Sequence, residues 1–487
     1  MPLTWKHMRG SVLFFLINAV AATALIFEGY SQGIFGAVSE TPGFIRMADI
    51  GRDGVVTNST KQGGLAAAYY FGAMWGCFVG RWVADKVGRK RGVFVGTIFG
   101  ILGAALQAAS RSPDMFLCAR VVAGIGIGFM NAVILPWVSE LSPSHNRGSS
   151  FSLVFVANYL GIVIAYWVNI GIRNSNADFR WRFPLAWMVV PLLVVDAALP
   201  FLPESPRWLI ANGQRGQAIE ILCKLRGDLS PVDAGITNEV ERLDAIVEAT
   251  HHQRNDLINV VLGGRYSGRL HLGRRAALGL ALQWIQQWSG ILAIVTWAGT
   301  LFTLAGSDSN KMLQLRTRAC HSGRGQQQPH LSLYIRFFTM FNLIPCWIYG
   351  TEIWPQEIRA KGYSFTIFGW ATGCGSTQFL IPIMLSRLTY GTYVFFGAIN
   401  IAAVPVVWLL FPETANKSLE EVSLLFASDS LLATENTREF HRRVDAAGGH
   451  VATAVRRLLD EVDGRAGPGS GANAREHREN HEGEGEA

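Results

Sequence analysis

The chain is 487 residues long, enough for three soluble domains, but 49% of it is hydrophobic and 11% aromatic, and its mean hydropathy is +0.23. That balance points to lipid rather than water as the main solvent. The net charge of +7 would suit a nucleic-acid binder, yet the basic residues sit between particular apolar stretches, as at Lys86 to Arg91 and Arg265 to Arg275, which carries orientation and not a binding stripe.

A bilayer span takes about 20 apolar residues. Ten such stretches occur, at 11–36, 64–84, 92–110, 115–138, 150–171, 184–202, 276–305, 331–350, 363–385 and 391–411. At this length only helices satisfy their own backbone in lipid, so the chain is expected to be an all-α membrane protein. The first stretch follows Lys6, His7 and Arg9, and Ala19-Val20-Ala21 resembles a cleavage site. A removable signal peptide is the alternative, but the apolar run continues well past a signal core and nine more follow. With the N-terminus in the cytoplasm, the basic clusters, Arg147, Arg359 and Lys361 all fall inside. Asn58-Ser59-Thr60 then falls outside, where Asn58 is a glycosylation candidate, whereas the sequon at Asn416 falls inside and is discounted. Of six cysteines, Cys77, Cys118, Cys346 and Cys374 are scattered singly through spans, which gives neither a disulfide framework nor metal spacing.

Six spans (1–202) are followed by a polar stretch (203–275), four more spans (276–427) and a hydrophilic tail (428–487). Apolar residues at three-to-four spacing in Gln217–Arg226 and Asn238–Ala249 predict a cytoplasmic helical linker, and the Gly-rich composition of the tail predicts disorder. The two spanning parts carry matching signals. Glu140 precedes Arg147 by seven residues and Glu352 precedes Arg359 by seven; Pro203-Glu204-Ser205 closes one part and Pro412-Glu413-Thr414 the other. Such pairing implies an internal repeat.

These motifs, with Gly80 to Arg91 (GRWVADKVGRKR) and Pro203 to Leu209 (PESPRWL), resemble the sugar porter family of the major facilitator superfamily over about residues 11–426, and fungal monosaccharide transporters in particular. The resemblance implies twelve spans in two six-helix bundles, so about ten here means that spans 8 and 9 are lacking. Between Leu304 and Leu331 the chain has instead a short segment bearing Arg316, Arg318 and Arg324, which we read as a mistranslated gene junction and not an evolved loop.

The resemblance also implies a transporter, not an enzyme, that moves a monosaccharide or small polyol across the plasma membrane by alternating access, with both termini cytoplasmic and neither cofactor, metal nor nucleic acid involved. Asp85, Arg89, Glu140, Arg147, Glu204, Arg207, Glu352 and Arg359 form the family's cytoplasmic latch, with simple positive-inside topology as the plainer reading. Asp85 is expected to cap a helix N-terminus. Gln286, Gln287, Tyr159, Trp347 and Trp370 are the substrate-contact candidates; helix–helix hydrogen bonds for the amides, and packing or lipid contact for the rings, are the alternatives. Leu292, Thr296-Trp297, Gly369 and Gly373 depart from the family's usual Asn, Tyr-Tyr, Asn and Asn. In proton-coupled members an Asp near the span-four Arg carries the proton; here Ser31 stands in its place and Glu28 lies a turn earlier. Coupling through Glu28 and Arg120 is therefore open, with facilitated diffusion preferred. A nutrient sensor, an inactive product of a truncated gene and a porter for a quinate-like acid are the rival readings.

Overall fold

The structure is a computed structural model that describes residues 5–142, 147–227, 229–252, 271–297, 344–355, 358–389, 391–414, 417, 421–428 and 430–462. The Leu304 to Leu331 segment lies outside these residues. Almost everything described is helical: α1 (Gly10–Ser39), α2 (Pro42–Ala48), α3 (Ser59–Val87), α4 (Arg89–Ala109), α5 (Pro113–Leu141), α6 (Arg147–Gly171), α7 (Phe179–Trp187) and α8 (Val189–Ala198). The short helices α9 (Pro206–Ala211), α10 (Arg215–Leu225) and α11 (Ala234–His252) follow, taking in the linker segments predicted from spacing. Next come α12 (Leu272–Gln287), α13 (Ile291–Val295), α14 (Ile344–Glu352), α15 (Arg359–Leu388), α16 (Gly391–Leu410), α17 (Glu421–Leu425), α18 (Ala433–Ala446) and α19 (Val451–Val462). Between α2 and α3, β1 (Gly51–Arg52) and β2 (Val55–Val56) pair antiparallel, Gly51 opposite Val56.

Among the described residues, six helices are both long and apolar enough to cross a membrane: Gly10–Ser39, Arg89–Ala109, Pro113–Leu141, Leu153–Gly171, Phe179–Phe201 and Gly391–Leu410. Of the other expected spans, 64–84 lies within α3 and 363–385 within α15, two helices of 29 and 30 residues whose glycines and polar groups dilute their hydropathy. The span at 276–305 begins as α12 and breaks at Gly290, whose φ of 94° is a left-handed conformation that favours glycine. The span at 331–350 is described only from 344 on.

Two compact units emerge from the packing. The first gathers Met1–Arg254, Gly279–Thr351 and Glu357–Ala403; the second gathers Asn255–Leu278, Glu352–Gln356 and Val404–Ala487. In the first, glycine does most of the positioning. A Cβ on Gly124 would strike the Tyr69 carbonyl, and one on Gly72 would strike the Val121 carbonyl, so α3 and α5 touch backbone to backbone. Gly29 faces Asn158 and Gly161 faces Ile26, which brings α1 against α6 in the same way. Gly63 faces the Phe379 carbonyl, and the Phe78 ring meets Phe365 edge-on at 5.5 Å and Phe368 at a tilt at 5.6 Å, so α15 lies along α3. In lipid there is little hydrophobic drive between helices, and close approach of this kind supplies the attraction.

In the second unit the expected disordered tail is partly ordered. The segment 433–462 forms α18 and α19, whose Phe440, Ala454 and Leu458 are buried, and Arg274 donates to Asn436 Oδ1 (3.2 Å) and the Leu431 carbonyl (2.9 Å). The polar composition hid two strongly amphipathic faces, one of them reading Val451, Ala454, Val455 and Leu458. The residues from 463 on are outside the described set.

Overpacking a helix contact costs about 1–3 kcal/mol. Gly124→Val is therefore expected to lower the melting temperature of the purified protein by several degrees, while Gly171→Ala, with open space around it, leaves it unchanged; equal melting curves would show that α3 and α5 do not need this approach.

Candidate functional site

Within the first unit, α1, α6, the α12–α13 break, α14 and α15 enclose a small hollow of about 40 Å³ open to the centres of water molecules. Its wall is Glu28, Gln32, Phe155, Asn158, Tyr159, Ile162, Gln287, Ile291, Leu292, Val295, Trp347 and Trp370. Four of the five expected contact residues are on it: Tyr159, Gln287, Trp347 and Trp370. Gln286 is not on the wall; it is buried behind, its side-chain oxygen accepting a hydrogen bond from Gln287 Nε2 at 3.0 Å. Both glutamines end α12, where successive residues point about 100° apart, so one turns to the hollow and the other into the helix packing.

Three aromatic side chains line one side. The Trp347 ring lies 5.1 Å from Phe155 and 6.1 Å from Trp370, and Trp370 meets Tyr70 edge-on at 5.6 Å. Trp347 is 2% exposed and its indole N–H has no partner among the described residues, so a buried donor is left for an occupant. The amides missing from the familiar positions are replaced from elsewhere. Leu292 is apolar on the wall, a Cβ on Gly369 would strike the Leu280 backbone, and one on Gly373 would press on Gln287 Cβ at 3.0 Å, so Asn does not fit at Gly369 and would have to displace Gln287 at Gly373. Gln32 and Asn158 supply amides instead. Neither was singled out by sequence reasoning; the available signals were the four-residue step from Glu28 to Gln32, which shares a helix face, and the place of Asn158 next to Tyr159.

Glu28 is 4% exposed and accepts a hydrogen bond from Gln32 Nε2 at 3.2 Å. Arg120 does not pair with it among the described residues. The guanidinium donates to the Leu65 carbonyl (3.3 Å) and the Ala66 carbonyl (3.2 Å), and sits over the rings of Phe35 and Tyr69 at 4.5 and 4.6 Å. Just past Val295, polar groups tie the segment after α13 to α1 and α15. Thr296 donates to the Gln32 carbonyl (3.1 Å), Gln378 donates to Thr296 Oγ1 (2.7 Å) and Trp297 donates to Gln378 Oε1 (2.7 Å). Tyr166 also donates to the Val295 carbonyl. The departures Thr296 and Trp297 thus have a partner, Gln378, that no motif marks.

At the turn between α3 and α4 the charged residues converge. Arg89, 4% exposed at its side chain, meets Asp85 at 3.0 Å and Glu140 at 3.3 Å, and Arg81 meets Asp85 at 2.5 Å. Ser205 donates to Glu140 Oε2 (2.5 Å), and Arg207 stands close enough to Glu140 to act on its charge. The expected cap is corrected: Asp85 is taken up by two arginines, and Glu204 caps α4, accepting from the backbone N–H groups of Arg89 (2.8 Å) and Lys90 (3.2 Å). Gly88, at φ 103°, leaves the space that the Glu204 carboxylate fills. Burial raises the pKa of Glu204, and the N–H donors of Ser205, Arg89 and Lys90 oppose that rise.

Arg147 opens α6, with its side chain outside the described residues. In the second unit Thr414 donates to Glu352 Oε2 at 3.2 Å, as Ser205 does to Glu140, so each Pro-Glu-Ser/Thr run serves the glutamate of its own half. Arg359 is half-buried at the start of α15 and belongs to the first unit. Asn58 is exposed ahead of α3, its oxygen accepting from Lys61 N at 2.9 Å while its amide nitrogen makes no hydrogen bond among the described residues. Among the described residues no group of His, Cys, Asp and Glu is arranged to hold a metal.

The family described as "Sugar (and other) transporter" matches residues 17–316 and 330–426, the interruption falling inside the Leu304 to Leu331 segment. The chain is 27% identical over 478 residues to the sugar transporter STL1 of Saccharomyces cerevisiae, covering 86% of this chain and 82% of that protein. It is 25% identical over 480 residues to a quinate permease of Neurospora africana, covering 85% and 88%. In fold it is similar to the major facilitator superfamily proton:xylose symporter XylE bound to 6-bromo-6-deoxy-D-glucose, an E. coli protein, with a TM-score of 0.69 and 20% identity over 86% of this chain and 100% of that one. The chain belongs to the sugar transporter family of the major facilitator superfamily and is a multi-pass membrane transporter, not an enzyme.

Proposed function

We propose that the protein carries a monosaccharide or small polyol across the plasma membrane by alternating access, taking it up in the hollow between α1, α6, α12–α13, α14 and α15, and that it works by facilitated diffusion. The supporting observation is the hollow's chemistry: the neighbouring, mutually tilted rings of Trp347 and Trp370 offer apolar surface, while Gln32, Asn158, Gln287 and the unpartnered Trp347 N–H offer groups for hydroxyls. At about 40 Å³ the hollow holds a few waters and must widen to admit a pyranose. Alternating access supplies that widening.

Facilitated diffusion is favoured by the arrangement around Ser31. A serine cannot exchange a proton near neutral pH, and Arg120 donates through Nε and Nη2 to two carbonyls, leaves Nη1 without a partner and has no carboxylate in an ion pair to it among the described residues. The hollow-lining place of Glu28 supports proton symport as the second reading. The cluster of Asp85, Arg89, Glu140, Glu204 and Arg207, with Arg147, Glu352 and Arg359, acts as the cytoplasmic latch, and Asn58 carries a glycan on the outer face.

Expression in yeast lacking its own sugar carriers is expected to restore uptake of a labelled monosaccharide or polyol, and Gln287→Ala to raise the apparent KM at least several-fold. Abolition of uptake by an uncoupler would replace facilitated diffusion with symport, and normal growth signalling without uptake would make the protein a sensor. Glu140→Ala leaves two nitrogens of a buried guanidinium without their acceptor, which costs about 1–3 kcal/mol. This variant is expected to melt earlier and to transport at a changed rate, whereas a cluster that served topology alone would leave the transport rate as it was.

A further inference from the structure

The wall of the hollow carries one carboxyl group, Glu28, and no cationic side chain among the described residues. The buried cation of the neighbouring helix, Arg120, is not on the wall, and its contacts with the Leu65 and Ala66 carbonyls and with the rings of Phe35 and Tyr69 hold it elsewhere. The remaining polar wall groups are neutral: Gln32, Asn158, Tyr159, Gln287 and the Trp347 indole. Gln32 fixes one oxygen of Glu28 through its 3.2 Å hydrogen bond.

We propose that Glu28, oriented by Gln32, touches the substrate directly and makes this hollow select uncharged polyhydroxy solutes over their acids. The inference rests on the carrier reading of the same site. The Glu28 carboxyl offers two oxygens, and a proton when it carries one, so two neighbouring hydroxyls of a polyol can share the group. A solute carboxylate meets the opposite situation. It leaves water for a wall with no cation to pair with, a transfer that costs far more than moving a neutral hydroxyl, and it faces a second carboxyl across a few ångströms. Arg120 would be the natural partner for an acid, but it is not on the wall. Gln32 acts as a positioning residue: without its amide the Glu28 carboxyl keeps its chemistry but loses its fixed direction.

The test is ligand binding to the purified, detergent-solubilised full chain, read by quenching of tryptophan fluorescence, with glucose and xylitol as neutral probes and gluconate and quinate as acidic ones, alongside competition for uptake in the yeast strain. Wild type is expected to bind a neutral probe at least 100-fold more tightly than either acid. Glu28→Gln, which keeps size and shape, is expected to weaken neutral binding about 10-fold and to shrink the preference over the acids at least 10-fold, with Gln32→Ala between the two. Binding of the neutral probe without uptake would keep the selectivity and overturn the carrier reading. Equal binding of acid and neutral probes by wild type, no neutral binding at all, or an unchanged preference in Glu28→Gln would overturn the role given to Glu28. Should that variant fail to fold, the wild-type ratio decides alone.

Discussion

The arrangement of the first spans depends on one buried cation. Arg89 sits at the first turn of α4 with its guanidinium almost sealed from solvent, against Asp85 at the end of α3 and Glu140 at the end of α5. A charge in that position is tolerable only when its donors are matched, and the matching acceptors come from two other helices. Ser205 and the Glu204 carboxylate bring the end of the sixth span to the same point. The requirement to satisfy one side chain thus fixes where four helices meet, and the glycine contacts then decide how closely they run.

Those contacts in turn set the size of the hollow. With Gly29 against Asn158 and Gly161 against Ile26, α1 and α6 are held so near that Glu28, Gln32, Asn158 and Tyr159 share one wall. On the opposite side the left-handed Gly290 interrupts the seventh span and frees its second half, Ile291–Val295, to lie across the wall. Thr296, Trp297 and Gln378 fasten the end of that half to α1 and α15 by hydrogen bonds that lie in a water-poor setting. Bonds of this kind hold firmly when made and are costly to leave open, which favours two discrete positions over a graded one.

Much of this was legible in the sequence because the signals are local. Span lengths are read within a single apolar stretch, and the charged turn Gly80 to Arg91, the repeated seven-residue Glu to Arg spacing and the Pro-Glu runs within a dozen residues each; together they identify the family. The candidate wall was legible only where a motif marked it, as at Gln287, Trp347 and Trp370. Gln32 and Asn158 were missed because their importance comes from a meeting of α1 with α6 that no local pattern encodes. Gln286 looks like Gln287 on paper, but successive residues of one helix point about 100° apart and only one of the two reaches the wall. The cap on α4 was misassigned for a related reason: Asp85 is the nearest carboxylate along the chain, but two arginines claim it, and a glutamate 115 residues away takes its place. In the tail, low mean hydropathy concealed helices whose apolar residues are few but aligned.

That distant cap bears on how the protein is made. The turn after the second span contains Gly88 with a positive φ and two backbone donors, at Arg89 and Lys90, that α4 alone cannot satisfy. Their acceptor does not exist until the ribosome has passed residue 204 and the sixth helix has entered the bilayer. Until then the nascent hairpin of spans two and three has an open end that water must serve. The first half of the chain therefore locks as one unit on arrival of its last helix, and a translation product halted before Glu204 would leave the membrane with inserted helices but no finished corner.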